Sequence, residues 1–279
     1  TIYYQDQDGC LIPMTRWIMI QPGIARAAIS LNIDSPIIRE QTAYYGVYPV
    51  IPSGTEILGI NIRDGLATID FSRHFLNYRD ARAERNLVAS IVYTLTEFKT
   101  VDRVLILVNG YLQEQMKYGT DISRPLGRED IQINNGRLLI GDEGGKVDVY
   151  LWKKANEGFT YMVPVSVPVS GYTGDVAEIL VKRLLDTDSS GALATQIPKG
   201  VELLECRTSN GLLTLNFSDG FVNDDDESGK AGVLKQLSHT LKQVSGISGI
   251  RVLVEGRQID IPDEVANASG LAIPTTIND

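Results

Sequence analysis

Side chains able to act as nucleophile, acid, base or metal ligand are few in this chain, and their spacing assembles none of the usual sites. A serine hydrolase needs a hydroxyl, a base within hydrogen-bond reach and a group that orients the base. Ser72 and Ser218 recur in Phe-Ser-x-x-Phe, yet neither lies in G-x-S-x-G and neither has a recurring base beside it. They read as turn or capping residues that follow a strand. Cys10 and Cys206 form no C-x-x-C pair, so neither a zinc site nor a redox pair is signalled. Cys206 reads as a small hydrophobe, Cys10 as a turn residue after Gly9, and a bridge between them is not expected.

The run Asn223-Asp224-Asp225-Asp226-Glu227 invites a calcium reading, and Asp224, Asp226, Ser228 and Gly229 match the first half of an EF-hand loop. The twelfth position, however, is Lys235 rather than Glu, so the stretch reads as a solvated acidic loop and the calcium question stays open. P-loop, G-x-G-x-x-G and H-E-x-x-H patterns are missing from the sequence. Catalytic, cofactor-binding and metal-binding residues are therefore assigned as none, and no cofactor is expected.

The elements that would position any site are set by a repeat. A shift of 146 residues carries the window Ile51 to Ser72 onto Ile197 to Ser218, with Ile51, Pro52, Gly54, Glu56, Leu58, Gly65, Leu66, Thr68, Phe71 and Ser72 recurring identically. Chance would give about one or two identities in such a window. The same shift takes Phe75 to Phe221, Thr94-Leu95 to Thr240-Leu241, Val108 to Val254, Gly110 to Gly256 and Tyr4 to Tyr150. Repeats of solenoids run to about 20–50 residues, so a copy of this length is a domain with its own core. The division expected is residues 1–140 and 141–279, with Asn134-Asn135-Gly136 and Gly141-Asp142-Glu143-Gly144-Gly145 at the joint. His74 and His239 fall at non-equivalent places in the two copies, which excludes a duplicated histidine site.

Within each copy, Asp64-Gly65 and Asn210-Gly211 are the dipeptides that two-residue hairpin turns prefer. The register they set pairs Leu58 with Phe71, Ile60 with Ile69 and Ile62 with Ala67, and likewise Leu204 with Phe217, Cys206 with Leu215 and Thr208 with Leu213. Val88, Ile91, Leu95 and Phe98 then fall on one helix face, matched by Leu234, Leu237, Leu241 and Val244. Val104 to Val108 and Ile250 to Val254 read as buried strands closed by Gly110 and Gly256. Ile2 to Tyr4 and Val147 to Leu151 read as opening strands, and Gly23 to Leu31 and Asp175 to Leu185 as first helices. The fold class is α+β: two tandem β-α-β-β-α-β domains, each a small antiparallel or mixed sheet with helices packed on one face.

Composition narrows the function. The 279 residues are 43% hydrophobic and 22% charged, and 26 Lys+Arg against 35 Asp+Glu leave a formal charge of −9, which argues against nucleic acid as a partner. The longest apolar run, Val104 to Val108, is far short of the ~20 residues of a membrane helix. The chain opens with Thr1 rather than Met, and a signal peptide or anchor ahead of it would not be visible.

The combination of Ile51-Pro52-x-Gly54, Asp64 to Ser72, Val92-Tyr93-Thr94-Leu95-Thr96-Glu97-Phe98 and Val104 to Gly110 resembles the GerM domain of sporulation and germination proteins. The likeness covers about residues 40–112, and more loosely 190–258, where Lys242-Gln243-Val244 replaces Thr-Glu-Phe. It implies a non-enzymatic lipoprotein of endospore-forming bacteria, anchored by lipid on a cysteine ahead of Thr1, in the space between mother cell and forespore membranes. Implied partners are proteins of the stage II/stage III channel complex, and the domains are expected to be similar to ring-building modules, so a ring-shaped homo-oligomer is among the expectations. A second reading is a peptidoglycan or small-ligand binding module using a cleft between the domains, and an enzyme is the third. No partner-binding residue is assigned. Tyr44-Tyr45-Gly46-Val47-Tyr48 is either a contact patch or core.

Overall fold

The computed structural model describes residues 1–18, 22–135, 145–155, 158–171, 173–187, 192–223 and 226–279. It contains two compact units. Unit 1 comprises Thr1–Asn134, Ala155–Tyr161 and Thr276–Asp279, and unit 2 comprises Asn135–Lys154 and Met162–Thr275. Of the joint read from the sequence, residues 136–144 lie outside the described residues. Asn134 is described: its side chain accepts from Leu11 N at 2.7 Å and donates to Leu11 O at 2.8 Å, an amide pairing as a strand neighbour would.

In unit 1 the order is β1 (Ile2–Asp6), β2 (Leu11–Met14), α1 (Ile24–Ser30), α2 (Pro36–Ala43), β3 (Val47–Tyr48), β4 (Ile57–Arg63), β5 (Gly65–Phe71), α3 (Ala81–Leu95), β6 (Val101–Val108) and β7 (Tyr111–Leu112). In the second copy it is β8 (Lys146–Lys154), β9 (Thr160–Pro168), α4 (Val176–Asp186), β10 (Leu193–Ala194), β11 (Leu203–Ser209), β12 (Leu212–Phe217), α5 (Glu227–Leu241), β13 (Gly249–Val254), β14 (Arg257–Gln258), β15 (Ala266–Asn267) and β16 (Gly270–Leu271). Helix α5 begins and ends 146 residues after α3, and β11 stands in the same relation to β4.

Each copy divides its strands between two sheets, a β2-β1-β3 sheet and a β4-β5-β6-β7 sheet in the first, with β10-β8-β9 and β11-β12-β13-β16-β15 in the second. The helix between them explains why. From Leu87 to Leu95 every residue of α3 is buried. Leu87, Val88, Ile91, Val92 and Leu95 pack against β5 and β6, while Ala89 and Tyr93 meet Tyr3 and Leu11 of the other sheet. A helix covered on both sides needs two surfaces to cover it, and the opening strand supplies the second. The expected β-α-β-β-α-β order is present, with the opening strand on the far side of the helix from the hairpin.

The hairpin turns are as expected: Asp64 and Gly65 have φ of 51° and 79°, Asn210 and Gly211 of 50° and 77°, the two positive values that a type I′ turn requires. The register holds for Ile60 with Ile69 and Ile62 with Ala67, but not at the far end. There a β-bulge pairs Phe71 with Ile57, and the second copy repeats it, pairing Phe217 with Leu203. The extra residue turns Leu58 and Leu204 outward, where they are 47% and 49% exposed. The Tyr4-to-Tyr150 match also shifts. Tyr3 N donates to Thr94 Oγ1 at 3.2 Å and Tyr150 N to Thr240 Oγ1 at 3.0 Å, so Tyr3 is the counterpart of Tyr150.

Candidate functional site

Several of the recurring polar residues are spent on the chain's own backbone. Ser72 Oγ accepts from Glu56 N at 3.0 Å and Ser218 Oγ from Glu202 N at 2.9 Å, closing the loop before each hairpin. Both serines are therefore the turn residues expected, acting on the preceding strand entrance rather than as helix caps. Asp70 Oδ1 accepts from Gly110 N at 2.8 Å and its counterpart Asn216 Oδ1 from Gly256 N at 2.9 Å.

His74 is exposed beside Gly54, whereas His239 is buried on α5 with its ring 5.5 Å from that of Tyr150. Cys10 and Cys206 are not joined in a disulfide. Burial, helped by Asp175 and Glu178, pushes the Cys206 thiol up to about 11, which makes it a poor nucleophile near neutral pH. In the acidic run, Asp224 and Asp225 lie outside the described residues. Asp226 caps α5, its Oδ1 accepting from Gly229 N at 2.9 Å. Among the described residues no group of three or more His, Cys, Asp or Glu side chains could hold a metal ion.

One serine, lysine and carboxylate constellation went unread in the sequence because its members lie on separate strands. Lys146 Nζ is 2.8 Å from Asp148 Oδ1 and 3.1 Å from Ser166 Oγ, and Ser166 Oγ donates to the same Asp148 Oδ1 at 2.8 Å. The lysine donates to the hydroxyl, the reverse of what a base must do. Asp148 and Ser166 are buried and Lys146 nearly so, and the three fasten β8 to β9.

The tyrosine segment divides between its two readings. Val47 is core, while Tyr44 is 73% exposed. Tyr44 and Tyr45 lie 5.5 Å and 5.9 Å from the Phe159 ring, which stacks on Tyr161, and Tyr161 Oη donates to Tyr45 O at 2.5 Å. Burial pushes the Tyr161 phenol up to about 12. Most of this cluster is thus internal to unit 1, with Tyr44 its exposed member.

Unit 1 also contains a groove of about 580 Å³ between the end of β1, the Tyr48 to Pro52 segment and the start of α3. Arg39, Arg79 and Arg82 line it together with Asp6, Asp34 and Asp80. Arg39 grips Asp34 with Nε and Nη2, both at 2.5 Å. Asp80 caps α3 by accepting from Ala83 N at 2.8 Å, a bond that holds its carboxyl below the usual range, with Arg79 at 3.1 Å helping. Arg82 Nη2 donates to the carbonyl of Asp8, and its guanidinium lies beside Gly9, whose φ of 71° favours glycine. The sequence reading missed these residues because it took recurrence as the mark of function, and Arg82 corresponds to Ser228. The available signal was the basic stretch Arg79, Arg82, Arg85 at the head of a helix.

Comparison with known proteins finds likeness in both copies. A family model described as sporulation and spore germination, Germane, matches residues 1–114 and 148–260. The chain is 27% identical over 276 residues to the spore germination protein GerM of Bacillus subtilis strain 168, covering 96% of this chain and 73% of that protein. Its structure is similar to that of the tandem GerMN domains of the sporulation protein GerM from Bacillus subtilis, with a TM-score of 0.81 and 25% identity over 100% of this chain and 98% of the other. Both of its copies carry the match, and the chain belongs to the GerM family of sporulation and spore germination proteins.

Proposed function

We propose that the chain is an assembly component of the channel complex joining mother cell and forespore, held outside the cytoplasm by a lipid anchor and acting through protein contacts. The observation that carries this reading is the use of the repeated polar side chains: Ser72 and Ser218, Thr94 and Thr240, Asp70 and Asn216 all bond the chain's own backbone. A duplicated module whose shared polar groups are internal offers surfaces and edges rather than a reaction centre. The family's tie to sporulation supports the same reading. Among the described residues no helix is long and apolar enough to cross a membrane.

The test is capture. The immobilised chain is exposed to detergent-solubilised membranes of sporulating cells, and retained proteins are identified by mass spectrometry. Recovery of channel-complex proteins that survives moderate salt is expected. Retention of wall fragments alone, or of nothing specific, would overturn the assembly role.

A further inference from the structure

The groove in unit 1 differs from the rest of the molecule in its charge balance. The whole chain carries −9, whereas the groove sets three arginines against three aspartates. All three aspartates are already engaged: Asp34 by Arg39, Asp80 by the Ala83 amide and Arg79, and Asp6 by Cys10 N at 2.8 Å. Arg82 is held by a neutral carbonyl, so its charge faces the groove without being cancelled by the group that fixes it. Gly9 and the Asp8 carbonyl pre-set that guanidinium, and Asn86 reinforces the same loop by donating to Gly9 O at 2.9 Å. A pre-organised guanidinium fork suits a carboxylate, which it meets through two parallel bonds.

The second copy serves as an internal control. Arg79, Arg82 and Asn86 correspond to Asp225, Ser228 and Gly232, so the second copy lacks both arginines and the amide. The guanidinium that faces the groove therefore belongs to the first copy alone.

We propose that this groove binds a short acidic segment of a partner protein, with its carboxylates on Arg79 and Arg82. Its volume suits a few residues rather than a globular face. Pro49 and Pro52 in its wall carry no N–H, so recognition runs through side chains rather than through an added strand. Two tyrosines line the groove: Tyr78 is 7% exposed with its hydroxyl accepting from Lys117 N at 3.0 Å, and Tyr48 is half-buried with its hydroxyl accepting from Gln7 Nε2 at 3.4 Å, so a glycan is the competing occupant that the test must separate. This inference does not depend on which assembly the chain serves.

The probe is a fluorescein-labelled Gly-Glu-Asp-Glu-Gly amide, read by fluorescence anisotropy with the full chain at low salt. A Gly-Gln-Asn-Gln-Gly amide and an unlabelled disaccharide-pentapeptide muropeptide complete the set. Saturable binding of the acidic probe is expected, weakened roughly tenfold by Arg82→Gln and by Arg79→Gln and unchanged by Arg251→Gln in unit 2. Arg79 is 89% exposed at its side chain, so its replacement leaves the fold intact, as circular dichroism will verify. Equal affinity for the neutral probe, indifference to both arginine variants, or no saturation of the acidic probe below about 1 mM overturns the proposal. Displacement of the acidic probe by the muropeptide at a lower concentration than unlabelled acidic peptide replaces it with a glycan site.

Discussion

Thr94 holds Tyr3 by its backbone: the threonine Oγ1, fully buried on the middle helix of unit 1, accepts the Tyr3 N–H at 3.2 Å. Ser90 Oγ, one turn earlier, donates to Tyr3 O at 2.7 Å, and Asn32 Nδ2 donates to the same oxygen at 3.0 Å. The opening strand is thus fixed to the helix through polar side chains in a buried layer, where an unmatched partner is costly. Unit 2 repeats the threonine contact with Thr240 and Tyr150, and adds Gln243, whose amide accepts from Asp148 N at 3.3 Å and donates to Asp148 O at 2.6 Å.

Thr94→Val keeps the shape of the side chain and removes the acceptor that the buried Tyr3 N–H uses. It is expected to destabilise unit 1 by about 1–3 kcal/mol, and Thr240→Val to do the same to unit 2. The two sites share no partner, so the double variant should show the sum to within about 0.5 kcal/mol. Urea unfolding of the three variants checks this; a double variant no worse than either single one would mean that the contact is not what holds the strand.

This polar layer also shows where the sequence was opaque. Val88, Ile91 and Leu95 declare one core face by their spacing, and the Asp-Gly and Asn-Gly turns declare the hairpins. The opposite face of α3, Ala89, Ser90, Tyr93 and Thr94, is small or polar and looks like a solvated surface until a strand 90 residues away in sequence is found bonded to it. Asn109-Gly110 belongs to the same turn chemistry as Asn210-Gly211 but was read only as a strand end, so β7 was missed. Arg79 and Arg82 escaped for a different reason, since a repeat highlights what two copies share, and their counterparts are Asp225 and Ser228.

The bulge before β5 makes a sharp contrast. Strict alternation places Leu58 opposite Phe71 in the core, whereas the structure gives that place to Ile57. Leu58→Lys is accordingly expected to change stability by no more than about 0.5 kcal/mol, and Leu204→Lys likewise. Ile69→Ala, at a fully buried position of the same sheet, should cost about 2–5 kcal/mol. Thermal melts of the three variants distinguish the registers, because an inward Leu58 would make its lysine variant the least stable of the set.

The turn between β13 and β14 carries avoidable strain. Glu255 has φ 48°, a left-handed conformation that costs an ordinary side chain about 1–2 kcal/mol and an asparagine less. Its counterpart in the first copy is Asn109, at φ 52°. Glu255→Asn should therefore stabilise unit 2 by roughly 0.5–1 kcal/mol, even though Glu255 Oε1 accepts from Asp219 N at 3.1 Å, since that exposed amide can turn to water. An unchanged or lower urea midpoint would show that the Asp219 contact outweighs the backbone strain.

Glu84 supplies the pH dependence. Its side chain is buried on α3 and accepts from Tyr118 N at 2.7 Å and Thr120 N at 2.9 Å, closing the loop after β7. Burial opposes the charge, but the bonds from Thr120, Tyr118 and Tyr78 outweigh it and the carboxyl is lowered from its ordinary value of 4.5. A depressed folded-state value means that the carboxylate's stabilisation is complete above about pH 4.5, the unfolded value, and is lost as pH falls through the folded one. At pH 7 Glu84→Gln should cost about 1–3 kcal/mol, because an amide offers one oxygen to two buried N–H groups. On acidification the wild-type chain loses this advantage and the variant does not, so the gap between them should narrow at pH 3. Urea unfolding at the two pH values measures it, and a gap equal or wider at pH 3 would show that Glu84 is held there for packing rather than for its charge.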